Sequence, residues 1–105
     1  MTEDQARAYT RLLFAIFGER YDETKDLPAS SELIEALDNV TSSLTERESD
    51  LIRARFGITD GEAKAISELA AMFDKSEEEC RETESAAISK LRHPARSDAL
   101  RVFLD

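Results

Sequence analysis

The residues of this chain that could do chemistry are few, and their spacing argues against catalysis. Cys80 is the single cysteine and His93 the single histidine in 105 residues. An internal disulfide and a Cys/His zinc site are therefore excluded. No serine stands in a His–Asp setting, no glycine-rich run is present to cradle a phosphate, and the acids lack ligand spacing. No metal, no cofactor and no enzymatic activity are expected. What remains is charge. Arg47, Arg53 and Arg55 form one basic group, and Lys90, Arg92, His93 and Arg96 form another. Arginines at this density suit phosphate oxygens, and equally suit pairing with Glu48, Asp50 and other nearby acids. Opposite in sign is the run Glu77-Glu78-Glu79. Carboxylates there oppose the positive end of a helix dipole; the other reading is a surface that repels DNA or attracts a basic partner.

Helices must position these groups. The composition, 41% apolar and 35% charged with 3 Gly and 2 Pro, suits one soluble, helix-rich domain. Residues Asp4 to Phe17 carry Tyr9, Leu12, Leu13, Ile16 and Phe17 at helical spacing, closed by Gly18. Phe14 falls off that stripe, which leaves it for a partner or a homodimer formed through this helix. Glu19 to Ala29 has no period and reads as a connector. A second helix starts near Ser30 or Ser31, with Leu33, Ile34, Leu37 and Val40 on one face, and Thr41-Ser42-Ser43 interrupts it. Thr45 with Glu48 spells a capping box, and the helix it opens, carrying Leu51 and Ile52, closes at Phe56-Gly57. After a loop around Asp60-Gly61, a short helix buries Ile66, Leu69, Ala70 and Phe73. Ser76 with Glu79 spells a second capping box, opening a longer helix to about Arg92 with Cys80, Thr83, Ala87, Ile88 and Leu91 inward. Pro94 stops it, and a last helix runs from Ser97 to Leu104 with Leu100 and Phe103 inward. The expected fold is an all-α small helical bundle of about five to six helices. The longest apolar run, Leu12 to Phe17, is too short for a membrane span and follows no signal-peptide pattern, which predicts a cytoplasmic protein.

A short helix, a turn of about three residues and a longer helix form a helix-turn-helix layout. The residues around it carry a specific resemblance. Leu44-Thr45-Glu46-Arg47-Glu48, Arg53-Ala54-Arg55-Phe56-Gly57-Ile58, Lys90-Leu91-Arg92-His93-Pro94-Ala95-Arg96-Ser97 and the closing Leu100-Arg101 with Phe103-Leu104-Asp105 resemble region four of primary bacterial RNA polymerase sigma factors. That is the C-terminal domain that reads the promoter −35 element. The likeness spans about residues 31–105 at family spacing, so the chain divides into an N-terminal helix plus connector, 1–30, and a region-four-like domain, 31–105. By resemblance, Arg47, Arg55, Glu78, Arg81, Lys90 and Arg92 would lie at DNA. The first two region-four helices would hold the flap of the RNA polymerase β subunit, with Leu37, Val40, Leu51, Ile52 and Phe56 as the apolar cradle. The same five residues also read as plain domain core.

The departure from the family is informative. Where the family's reading helix carries arginine, arginine, glutamine and lysine, this chain has Glu77, Glu79, Glu82 and Ala86. Residues 75–89 carry a net charge of −3 and residues 90–105 a net charge of +2, within a total of −9. Losing one arginine–guanine contact costs about 1–3 kcal/mol. Two reversals, at Glu77 and Glu79, plus two lost cations, at Ala86 and at Ser89 where the family carries a further arginine, remove about 4 kcal/mol or more, comparable to the low end of the gap between specific and non-specific binding. Two functions follow. The first is a sigma-like transcription protein that approaches promoter DNA and associates with RNA polymerase. The second is an interaction module that keeps the polymerase-binding half, or binds another partner, and has lost sequence-specific DNA binding.

Overall fold

A computed structural model describes residues 3–18 and 31–101. The connector, the Ser30 and Ser31 cap candidates, and the stretch holding Phe103 and Leu104 fall outside the described residues or side chains. Among the described residues there are six helices and no strand: α1 Glu3–Phe17, α2 Ser31–Ser42, α3 Glu46–Phe56, α4 Ile66–Phe73, α5 Glu77–Arg92 and α6 Pro94–Arg101. The all-α bundle is as expected. None of these helices is long and apolar enough to cross a membrane.

The helix α5 is the axis of the bundle, packing against α1, α3, α4 and α6. Two apolar cores lie along its inward face, one near its start at Cys80 and one toward its end at Ala87 and Leu91. The larger joins the α1 stripe Tyr9, Leu12, Leu13 and Ile16 to Leu33, Leu37 and Val40 of α2, Ile52 of α3, Ala87 and Leu91 of α5, and Leu100 of α6. The smaller joins Leu51, Leu69 and Cys80, with Ala54, Ile66, Ala70 and Phe73 packed on it. Leu51 and Ile52 are sequence neighbours roughly 100° apart on a helix, so α3 feeds both cores at once. Cys80 behaves as a small buried hydrophobe.

Local chemistry sets the helix ends. Thr45 accepts a hydrogen bond from the Glu48 N–H at 3.2 Å, and the Thr45 N–H donates to Glu48 Oε1 at 3.1 Å, so the first capping box is complete. Gly57 ends α3 at φ 81°. A Cβ there would meet backbone atoms of Glu62 and Ala63 at 2.7 and 2.8 Å. Left-handed backbone and a closed space together require glycine at this position. Asp74, also left-handed at φ 53°, turns the chain between α4 and α5.

Three sequence expectations are corrected. The second capping box is only half formed: Ser76 accepts from the Glu79 N–H at 3.1 Å, but its hydroxyl, rather than the Ser76 N–H, meets Glu79 Oε1 at 3.3 Å. Thr41 and Ser42 do not interrupt α2, which runs through Ser42. Buried Thr41 donates its hydroxyl to the Leu37 carbonyl at 2.7 Å, which satisfies it inside the helix. Pro94 is a start as well as a stop. His93 is extended at ψ 134°, as the residue before a proline prefers, and α6 begins at Pro94 itself, three residues before the expected Ser97.

Candidate nucleic-acid interface

The edge that would face DNA is built from the start of α3 and the outward side of α5. On α5, Glu77, Glu78, Glu79, Arg81, Glu82 and Ala86 are all exposed. The inward positions Cys80, Ala87 and Leu91 are buried, and the helical period forces the intervening acids outward. Arg81 Nη2 lies 4.0 Å from Glu77 Oε1 on its own helix, at the limit of an ion pair. A groove of about 520 Å³ opens between the start of α3, the end of α4 and the start of α5, floored by Leu51, Phe73 and Cys80. Arg47, Lys75 and Glu79 are among the charged groups lining it.

The basic candidates are already engaged within the chain. Arg47 Nη2 meets Glu79 Oε2 at 3.3 Å, with the two side chains 56% and 49% exposed. Its partner is thus Glu79 of α5, and not Glu48 or Asp50 as sequence proximity suggests. Arg55 donates from Nε to Glu84 Oε2 at 3.0 Å and from Nη1 to the Lys64 carbonyl at 2.7 Å, pinning the end of α3 to α5 and to the following loop. Lys90 Nζ lies 2.8 Å from Glu48 Oε1. Arg92 donates from Nε and Nη2 to the Ala15 carbonyl at 3.1 and 2.9 Å. The last turn of α1 has no basic residue of its own, so Arg92 supplies positive charge where the helix dipole is negative.

Glu48 shows what burial with partners does. Its side chain is 9% exposed. Burial pushes the carboxyl pKa up, but the Lys90 ammonium together with the Thr45 N–H and hydroxyl outweighs this and holds it below the ordinary value of 4.5. On the far side of α3, Tyr9 Oη donates to Asp38 Oδ1 at 2.9 Å, and Arg53 Nη1 lies 3.8 Å from the same carboxylate oxygen. Burial, then the hydrogen bond and the charge of Asp38, push the Tyr9 phenol up to about 12 against a smaller opposing effect of Arg53. Arg53 also donates to Ser42 and Ser49. It is a structural tie between α2 and α3.

The five cradle candidates divide between the cores. Leu37, Val40 and Ile52 are buried in the larger core with Phe56 packed against it, and Leu51 is buried in the smaller one. Reading the sequence missed Glu84 as the holder of Arg55 and Asp38 as the holder of Tyr9. Both pairs are 29 residues apart, and no local pattern announces them. Among the described residues no group of His, Cys, Asp and Glu could hold a metal ion.

Residues 42–93 match the family described as Sigma-70, region 4. The RNA polymerase sigma factor SigA of a Bacillus species is 41% identical over 80 residues, which is 76% of this chain and 21% of that protein. The chain thus spans about a fifth of the length of the relative it matches. Through residues 42–93 the chain belongs to the sigma-70 region 4 family, a non-enzymatic helix-turn-helix domain of DNA-binding transcription factors.

Proposed function

We propose that this chain is a transcription protein that associates with RNA polymerase through its region-four scaffold, and that its α5 no longer reads the −35 element at sigma affinity. One observation carries the reading: Arg47, Arg55, Lys90 and Arg92 each hold an oxygen of this chain, while Glu77, Glu78 and Glu82 occupy the exposed side of the helix that would enter the groove. A duplex approaching this edge meets carboxylates first and must break internal contacts to reach Arg47, Arg55, Lys90 or Arg92. In this reading residues 31–105 act as the region-four unit and residues 1–30 as an added element. The β flap is the polymerase contact, met by the face of Leu37, Val40, Leu51, Ile52 and Phe56. Phe14, 46% exposed on α1, is the side chain that a homodimer through that helix would use.

A second reading keeps promoter recognition. It is favoured by the exposure of the Arg47–Glu79 pair, since such pairs contribute roughly 0–1 kcal/mol and a phosphate can displace the carboxylate at little cost. Electrophoretic mobility of −35 promoter DNA, set against pull-down of the β flap, separates the two. Flap binding without a sequence-dependent shift supports the first reading; a tight, sequence-dependent shift at ordinary salt overturns it. The double substitution Glu77→Arg with Glu79→Arg is expected to create −35 binding that weakens steeply with salt. A folded double mutant that remains inert would mean that the block lies elsewhere.

A further inference from the structure

We infer that the apolar face beneath α1 is a helix-binding site, and that α1 is its in-chain occupant, displaced when an amphipathic helix of the polymerase docks there. The inference rests on the polymerase reading above.

The chemistry that this face accepts is displayed by α1 itself. Tyr9, Leu12, Leu13 and Ile16, spaced as one helical stripe, are buried against α3 and α5 in the core that also holds Leu37, Val40 and Ile52. Two polar ties fix the register and direction of the helix. Tyr9 Oη donates to Asp38 of α2 at 2.9 Å, and the Arg92 guanidinium donates to the Ala15 carbonyl at the last turn. A helix with apolar residues at i, i+3, i+4 and i+7 and a free C-terminal carbonyl satisfies the same features.

Two observations mark α1 as an exchangeable layer. It lies outside both the matched residues 42–93 and the region-four-like span 31–105 that includes α2. It also buries itself in the core shared by four of the five proposed flap contacts, Leu37, Val40, Ile52 and Phe56. One face cannot bury two helices, so flap and α1 compete. Tethered occupancy raises the effective concentration of α1 to the order of millimolar, and the apparent affinity of an outside helix falls by the fraction of molecules in which the face is open. The consequence has an unusual sign: weakening the hold of α1 strengthens partner binding.

The test uses the full chain and the isolated β flap of RNA polymerase, with amide hydrogen exchange and a binding isotherm. On saturation with flap, amides of α1 lose protection while those of α2 and α3 keep theirs. Tyr9→Phe keeps the ring in the core and removes the tie to Asp38; it binds flap about fivefold more tightly than the parent, the effect of one hydrogen bond. Flap binding in which α1 stays protected, or an affinity of Tyr9→Phe equal to or below that of the parent, overturns this inference and leaves the polymerase reading standing. No flap binding by either protein overturns both.

Discussion

The two helix starts at Thr45 and Ser76 share one motif, a hydroxyl residue with glutamate three positions on, and end in different structures. At α3 the Glu48 carboxylate turns back to the Thr45 N–H, sits nearly buried and is held from the other side by Lys90 of α5. At α5 the Glu79 carboxylate takes the Ser76 hydroxyl and, in solvent, Arg47 of α3. Both glutamates meet a cation from a neighbouring helix, Lys90 at 2.8 Å and Arg47 at 3.3 Å, so the cation alone does not decide the box. What differs is burial: the box closes at the nearly buried Glu48 and stays open at the half-exposed Glu79, where water can serve the backbone N–H. The contrast also separates a structural carboxylate from one whose charge is spent at an exposed edge.

The largest expected effect is on the buried start. Glu48→Ala removes the box and leaves Lys90 without its partner; because Lys90 is 43% exposed, the loss is less than for a fully buried pair, about 2 kcal/mol. Thermal unfolding should shift down by about 10 °C. Glu79→Ala should cost at most about 0.5 kcal/mol, since both side chains of its pair are about half exposed. Equal costs would erase the distinction.

Next are the caps themselves. Thr45→Ala is expected to cost about 1 kcal/mol in urea unfolding, and Ser76→Ala about half of that, because the reciprocal bond is missing at α5. The acid side of the comparison sharpens it further. Glu48 has a folded pKa below 4.5, so its stabilising contribution is full above that value and is lost as pH falls through the lower folded value. The parent should lose stability on acidification below 4.5 more steeply than Glu48→Gln, as read by urea midpoints across the acid range. The smallest effect belongs to Glu79→Gln. It frees Arg47 without adding a cation, and non-specific DNA affinity should rise severalfold at low salt and return to the parent value at high salt. An unchanged affinity at low salt would show that Arg47 does not reach phosphate.

Much of the fold was legible because its signals are local. The Tyr9 to Ile16 stripe, the Thr45–Glu48 box, Gly57 and the breaker Pro94 each act within one or two turns, and each appears as an element or an end. The misreadings arose where the surroundings decided a local signal. Glu79 is left half-exposed with its box open, and the polar Thr41 is accepted inside α2 because its hydroxyl bonds back to Leu37. The charged edge was legible in sign but not in pairing. The acids at 77, 78, 79 and 82 lie outward as their spacing requires, whereas proximity in sequence points Arg47 and Arg55 to acids they do not touch.

The sequence by itself determined the helices, most of their ends, the two apolar stripes that make a core and the family signature from Leu44 to Ser97, all of which depend on spacings within a few turns. Only the tertiary structure decided where the charges go. Arg47 to Glu79, Arg55 to Glu84, Lys90 to Glu48 and Arg92 to Ala15 are separated by 32, 29, 42 and 77 residues. An ion pair is a matter of a few ångströms in space, and that distance exists only after the helices have packed.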